Sequence, residues 1–91
     1  MNPSQKKQVL NRMNYLKGHL EGVIKMIEKD KYCIDIIQQN QAVREALRKA
    51  NILILENHLK TCASKAIRSK KEKERQKVIK ELLNIYYQAS L

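Results

Sequence analysis

Residues 33–68 read CIDIIQQNQAVREALRKANILILENHLKTCASKAIR and contain no glycine and no proline. Apolar side chains recur along this stretch in steps of seven, four, three and four residues, which is the period of one helix face. They are Ile36, Val43, Leu47, Ala50 and Ile54. The pattern predicts one helix over 33–68, much longer than the ~8–20 residues typical of globular helices. A helix of this length is too long for a lone chain of 91 residues, so the sequence predicts an oligomer.

The sequence before this stretch predicts a second long helix. Asn2 is a good helix cap, Pro3 fits a first turn, and Gln5 stands three residues after the cap, an arrangement similar to a capping box. A heptad-like apolar seam follows at Val9, Met13, Leu16, Leu20, Val23 and Ile27. Such a seam favours packing against other helices. The charged residues 28–32 interrupt it and mark the first turn.

The sequence after the central stretch predicts a charged connector at 69–74 and a short last helix. Its apolar positions are Val78, Ile79, Leu82, Leu83, Ile85 and Tyr86. We therefore expect residues 1–91 to form a single all-α domain with three helices per subunit, at about 3–28, 33–68 and 74–88.

Charge and composition narrow the class of partner. The formal net charge is +10 and the isoelectric point is about 9.8, which favours a polyanion such as nucleic acid. No apolar run approaches the ~20 residues that span a bilayer, and the first residues lack the apolar segment of a secretory signal. We expect a cytoplasmic protein with no membrane partner, in which both cysteines are reduced.

Three side chains suit a metal site but are spread along the central helix. His58 and Cys62 are four residues apart, so on an α-helix they would share one face. Cys33 lies 25 residues before His58, or roughly 37 Å along a continuous helix at ~1.5 Å per residue. Cys33 is therefore predicted to reach this metal from another copy of the chain.

An antiparallel pairing of two central helices would satisfy this requirement. Placing Cys33 against the midpoint of His58 and Cys62 puts the twofold axis near residue 46. Small side chains that would allow close approach lie around that point, at Ala42, Ala46 and Ala50. The sequence thus predicts an antiparallel helical-bundle dimer with two identical sites, each shared between subunits.

The donor set indicates which metal would fit. Two thiolates and one imidazole form a soft set that suits Cu(I) or Zn(II) and excludes magnesium and calcium. The alternative interpretation of Cys33, His58 and Cys62 is ordinary packing, because free cysteine often behaves as a small buried hydrophobe. His19 has no cysteine nearby and is predicted to be structural or exposed.

The remaining polar residues indicate binding rather than catalysis. The chain has no glycine-rich phosphate loop, no Ser/His/Asp arrangement and no paired carboxylates, so we do not expect an enzyme. Residues 60–80 hold nine basic and two acidic side chains. A second basic group consists of Lys6, Lys7, Arg12, Lys17, Lys25, Arg44, Arg48 and Lys49. Both groups favour salt-dependent contacts with phosphates.

Four stretches carry a family resemblance. They are RMNYLKGHLEG (12–22), KMIE (25–28), YCIDI (32–36) and LENHLKTC (55–62). Together they resemble the CsoR/RcnR family of bacterial metal-sensing repressors. The resemblance implies an all-α fold, a dimer of dimers, and binding to double-stranded operator DNA that is lost when the inducer binds.

The resemblance also implies roles for individual residues. The Cys/His/Cys set is similar to that of the copper-responsive branch, so Cys33, His58 and Cys62 are implied to bind Cu(I). Nickel and cobalt sensors have histidine where Cys62 stands, and persulfide sensors lack the histidine. Tyr32 and Glu81 are implied to orient the histidine by hydrogen bonding.

The implied DNA contacts come from the basic residues. Arg12 and the pair Arg48–Lys49 fall where the family has DNA-contacting residues, and Lys17 belongs to the same basic group. We therefore expect a copper(I)-responsive repressor that releases DNA on binding Cu(I), working as a homodimer or homotetramer. The alternatives are a thiol or persulfide sensor that uses Cys33 and Cys62, and a nucleic-acid-binding module without an inducer.

Overall fold

The computed structural model describes residues 1–89, which form helices and turns without a strand. The elements in chain order are α1 (Pro3–Glu28), α2 (Cys33–His58), a π-helix (Leu59–Ala63), α3 (Ser64–Ile67) and α4 (Glu72–Ala89). Because α2, the π-helix and α3 follow one another without a break, there are three helical runs. The predicted all-α fold with a long central helix is confirmed. In this part of the chain, no helix combines the length and apolarity needed to cross a membrane.

The helix boundaries differ from the expected ones around the second connector. The sequence predicted helices over 33–68 and 74–88, whereas the central run ends at Ile67 and α4 begins at Glu72. Carboxylates in the first turn of α4, Glu72 and Glu74, interact favourably with the positive end of the helix dipole. Charged residues assigned to the connector are therefore the start of a helix.

The start of α1 has the capping box that its sequence predicted. The Gln5 amide donates to Asn2 Oδ1 at 2.8 Å, and the Asn2 amide donates to Gln5 Oε1 at 3.0 Å. Pro3 occupies the first turn, where its missing N–H leaves no hydrogen bond unmade. These interactions fix the first helical residue.

The turn between α1 and α2 is closed without glycine. Asp30 has φ of 52°, the left-handed conformation that aspartate tolerates better than most residues. The Asp30 amide donates to Ile27 O at 3.1 Å and the Lys31 amide donates to Met26 O at 3.0 Å. These two bonds form a Schellman motif, which satisfies carbonyls at the end of α1.

The chain divides into two compact units, Met1–Glu56 and Asn57–Leu91, which we call the hairpin unit and the C-terminal unit. In the hairpin unit, α1 buries Val9, Leu16 and Val23, and α2 buries Ala50. The three α1 residues are spaced by seven. The remaining seam positions of α1 are exposed, namely Met13, Leu20 and Ile27. One helix partner covers only one stripe of the seam, and the predicted dimer would cover more of it.

Ala50 has a packing role inside a single subunit. The sequence placed it with Ala42 and Ala46 beside a predicted twofold axis. Its side chain is fully buried in the single chain, at 0% exposure. A larger residue at this position would have no space, so the small size of Ala50 does not require a dimer to explain it.

The C-terminal unit is held by few apolar side chains and by local hydrogen bonds. Among its described residues, Ala63 and Val78 are the buried apolar ones. Its connector is organised around Ser69, whose hydroxyl accepts from the Lys71 amide at 3.2 Å. The Arg75 guanidinium donates to the Ser69 carbonyl. The turn before α4 is therefore fixed by hydrogen bonds to one serine.

Candidate functional site

The first predicted ligand lies at one end of α2. Cys33 is the first residue of this helix, and its thiol is free and exposed. His58 is the last residue of the same helix and is half-buried. The helix has 26 residues, so its ends are about 37 Å apart at 1.5 Å per residue. Metal–ligand bonds are only about 2 Å long, so the two ends of one α2 helix cannot bind the same ion.

The third predicted ligand lies in a different kind of helix. Cys62 is exposed and belongs to the π-helix Leu59–Ala63, which begins directly after His58. The sequence predicted an α-helical turn between His58 and Cys62. A π-helix has a wider turn with i→i+5 hydrogen bonds, so the angle between these two side chains differs from the α-helical one.

Hydroxyl groups bind carbonyls around Cys62. Thr61 Oγ1 donates to the Asn57 carbonyl at 2.8 Å, and Ser64 Oγ donates to the Leu59 carbonyl at 2.7 Å. Thr61 Oγ1 also lies 3.8 Å from Cys62 Sγ. Neither Thr61 nor Ser64 could be predicted from sequence, because no periodic pattern marks a π-helix.

The described residues of one chain do not assemble a complete metal site. Within residues 1–89, no three cysteine, histidine, aspartate or glutamate side chains are grouped so that they could hold a metal. Tyr32 is 68% exposed, and Glu81 is exposed on α4. Their predicted role in orienting His58, and the ligand role of Cys33, His58 and Cys62, stay predictions.

Two of the predicted DNA contacts lie beside the same cavities in the hairpin unit. Arg12 of α1 and Lys49 of α2 both line a cavity of about 610 Å³ and a second one of about 230 Å³. The larger cavity is also lined by the polar side chains of Gln8, Asn11 and Tyr15, together with the apolar Leu16 and Ala46. At the larger cavity, two cations beside polar side chains form a surface suited to an anion such as phosphate, whereas the smaller cavity is also lined by the carboxylate of Glu56. Part of this group could have been predicted from the sequence, because Gln8, Arg12 and Tyr15 are spaced by four and three residues and so share one face of the predicted helix.

The other two predicted DNA contacts have different surroundings. Arg48 donates to Glu45 from Nε and Nη2, the shortest distance being 2.7 Å. This hydrogen bond lowers the pKa of Glu45 below its ordinary value and raises the pKa of Arg48. A phosphate would have to compete with the Glu45 carboxylate for Arg48. Lys17 is exposed on α1.

His19, predicted to be structural or exposed, has contacts within the hairpin unit. Its Nε2 atom forms a hydrogen bond with Gln39 Oε1 at 2.8 Å, which joins α1 to α2. The Tyr15 ring meets the His19 ring edge-on, with centroids 6.4 Å apart. These contacts keep His19 in the hairpin interface.

Comparison with known proteins relates this geometry to a family. A sequence model of the family "metal-sensitive transcriptional repressor" matches residues 5–87. The fold is similar to the crystal structure of the copper-sensing repressor CsoR with Cu(I) from Geobacillus thermodenitrificans NG80-2, with a TM-score of 0.86 and 32% identity. That match covers 100% of this chain and 92% of the other.

Two relatives show how far the sequence similarity extends. The copper-sensing transcriptional repressor CsoR of Bacillus subtilis (strain 168) is 34% identical over 82 residues, covering 90% of this chain and 78% of that protein. The CsoR of Mycobacterium tuberculosis (strain ATCC 25618 / H37Rv) is 44% identical over 64 residues, or 70% of this chain. The matched part is 54% of that mycobacterial protein, so the similarity spans about half its length. The resemblance stated from the sequence is confirmed.

Proposed function

Because this chain belongs to the family of metal-sensitive transcriptional repressors, we propose that it is a cytoplasmic copper(I)-responsive repressor. In this proposal the metal-free protein binds operator DNA as a homodimer or homotetramer. It releases the DNA when Cu(I) binds. The observation that carries the proposal is the similarity over the whole chain to a repressor whose crystal structure contains Cu(I).

The donor atoms of this chain fit Cu(I). Two thiols and one imidazole, from Cys33, His58 and Cys62, are soft ligands, and three ligands suit the low coordination number of Cu(I). Both thiols are exposed and free of disulfides. When bound, Cu(I) would supply strong bonds to sulfur that tie separate chain segments together.

The length of α2 supports ligation between subunits. Because its two ends are about 37 Å apart, Cys33 of one subunit is proposed to join His58 and Cys62 of another subunit. Ligation then depends on the relative placement of two subunits. A ligand that favours one such placement can weaken DNA binding by thermodynamic linkage.

The hairpin unit provides the proposed DNA surface. Arg12 and Lys49 border the same cavities and would bind backbone phosphates, with Lys17 and Arg48 adding charge. Tyr32 and Glu81 are proposed to orient His58 in the ligated protein. The proposed change in subunit placement would move two such surfaces out of register with the duplex.

An anaerobic titration tests the proposal. We expect operator affinity to fall when Cu(I) is added, with coupling of about 1–3 kcal/mol or more. X-ray absorption should detect two sulfurs and one nitrogen around copper in each subunit. Operator binding that stays unchanged across the whole titration would contradict a copper-responsive function.

One variant separates copper sensing from thiol sensing. The exposed thiols of Cys33 and Cys62 could also react with a persulfide or an oxidant. His58→Ala should impair the copper response and leave sulfur cross-linking intact. A wild-type protein that responds to persulfide and not to Cu(I), with the same response in His58→Ala, would favour the thiol sensor.

A further inference from the structure

The segment that joins two of the proposed copper ligands has an unusual backbone. Leu59–Ala63 is the one π-helix among residues 1–89, and it lies directly between His58 and Ser64. Single π turns inside α-helices are rare and occur frequently at functional sites. Cys62 lies inside this turn, so the backbone geometry affects a proposed ligand directly.

Side-chain hydroxyls satisfy carbonyls at this turn. The Ser64 hydroxyl donates to Leu59 O, five residues earlier in the chain, at 2.7 Å. The Ser64 amide instead donates to Thr61 O, three residues earlier. The hydroxyl bond spans five residues, the separation of a π-helical hydrogen bond, so it favours the wide turn over a regular α-helical one, whereas the amide bond tightens the chain directly after that turn.

Thr61 connects the turn to the last residues of α2. Its hydroxyl donates to Asn57 O at 2.8 Å, and its oxygen lies 3.8 Å from Cys62 Sγ. The Asn57 side chain is 6% exposed, and its Nδ2 atom is buried without a partner in the part of the chain that the structure describes. The hydroxyl of Thr61 thus links the carbonyl of a buried residue of α2 to the neighbourhood of the Cys62 thiol.

From these contacts we propose that Thr61 and Ser64 are positioning residues that hold the π turn and thereby set the direction of the Cys62 thiol relative to the His58 imidazole. This inference rests on the proposed copper function. Each residue of an α-helix turns by about 100°, so loss of the extra residue in the turn would rotate the following side chains substantially. The angle between the Cys62 thiol and the His58 imidazole would then differ from the angle that the π turn sets, and ligation of one ion by both side chains would be weakened.

Removal of both hydroxyls tests this proposal. The double variant Thr61→Val, Ser64→Ala should bind Cu(I) about tenfold or more weakly in an anaerobic chelator competition, as found for residues that support metal ligands. X-ray absorption should show that the nitrogen ligand is lost while sulfur ligation remains. The conservative double variant Thr61→Ser, Ser64→Thr keeps both hydroxyls and should restore wild-type affinity and coordination.

Ser69→Ala is the matched control. It also removes a serine hydroxyl from the C-terminal unit, but from the connector, where that hydroxyl accepts from the Lys71 amide. We expect its Cu(I) affinity and X-ray absorption spectrum to equal those of the wild type. Weaker binding in the hydroxyl-free double variant with unchanged coordination, or the same loss in Ser69→Ala, would overturn the positioning role.

Backbone NMR of the metal-free protein separates this proposal from the copper function. In the hydroxyl-free double variant, carbon chemical shifts should change at 57–64 and not in α1. Unchanged shifts at 57–64 would overturn the proposal without any metal. Should the double variant unfold, Ser64→Ala alone should give the same local change. Wild-type protein that fails to bind Cu(I) through sulfur and nitrogen would instead contradict the copper function.

Discussion

The hairpin unit and the C-terminal unit are both helical but are stabilised differently. The hairpin unit has regular α-helices, a capping box, a Schellman turn and four buried apolar side chains. The C-terminal unit has two buried apolar side chains among its described residues, a π-helix, and turns tied by serine and threonine. Packing of periodic apolar side chains stabilises the hairpin unit, whereas hydrogen bonds from polar side chains define the local geometry of the C-terminal unit.

Charge and proposed ligands differ between the units as well. The hairpin unit has ten basic and six acidic residues in 56 positions, and the C-terminal unit has nine basic and three acidic residues in 35. Cys33 belongs to the hairpin unit, whereas His58 and Cys62 belong to the C-terminal unit. On the proposed function, the hairpin unit is a regular scaffold that presents the proposed DNA contacts and one proposed ligand, and the C-terminal unit contains a less regular segment that presents the other two proposed ligands.

The largest expected effect comes from separating the ligands of the two units. Cys33→Ala and the double variant His58→Ala, Cys62→Ala should each lose tight Cu(I) binding as pure homodimers. A mixed dimer would combine Cys33 of one chain with His58 and Cys62 of the other. We therefore expect re-annealed mixtures to recover one site per mixed dimer, measured by anaerobic titration.

The result depends on ligation between subunits. If one chain supplied all three ligands, neither variant would contain a complete site, and mixing the two variants would not restore Cu(I) binding. A mixture of Cys33→Ala protein with itself, carried through the same re-annealing, is the control. Restored binding would show that the proposed ligands of the two units combine across a subunit boundary.

The second largest expected effect is a loss of operator affinity when basic residues of the hairpin unit are removed, compared with basic residues of the C-terminal unit. The double variant Arg12→Ala, Lys49→Ala should weaken operator binding about tenfold or more. The slope of the logarithm of the binding constant against the logarithm of the salt concentration should become shallower by about 0.9 per lost phosphate contact. Arg12 and Lys49 border the same two cavities of the hairpin unit. An exposed stripe on α4, formed by Lys73, Lys77 and Lys80, has a helical spacing but lies on one helix only.

We expect the α4 stripe to contribute less. Changing all three of its lysines to glutamine should weaken operator binding by less than about threefold at physiological salt, since isolated surface lysines give mainly screened attraction. Operator binding across a range of salt concentrations measures both variants. A larger effect from the stripe than from Arg12 and Lys49 would move the DNA surface to the C-terminal unit.

The regular parts of the fold could be predicted from the sequence because they follow periodic rules. The apolar seam of α1 predicted a helix, and Asn2, Pro3 and Gln5 predicted where that helix begins. The spacing of Cys33 from His58 also indicated that one α2 helix cannot bring its ends together. These inferences need only the α-helical period and rise.

The irregular parts could not be predicted in the same way. The π-helix after His58 depends on hydroxyl–carbonyl bonds that no periodicity encodes. The turn at Asp30 contains no glycine, although an αL residue is required there. The convergence of Arg12 with Lys49 needs contact between two helices, which the pattern of one helix does not give. Local hydrogen bonding and tertiary placement account for all three.

The smallest effect concerns the capping box and tests whether the hairpin unit serves as scaffold. Asn2→Ala removes the acceptor for the Gln5 amide and should lower the free energy of unfolding by about 1 kcal/mol. Asn2→Asp keeps an acceptor and should remain near wild type. Urea denaturation at a fixed protein concentration measures this difference, because assembly makes stability concentration-dependent.

Cu(I) affinity should be unchanged in both variants, since Asn2 supports α1 and is far in sequence from the π turn. A capping variant that altered Cu(I) affinity as strongly as loss of the Thr61 and Ser64 hydroxyls would remove the distinction between a scaffold unit and a metal-responsive one.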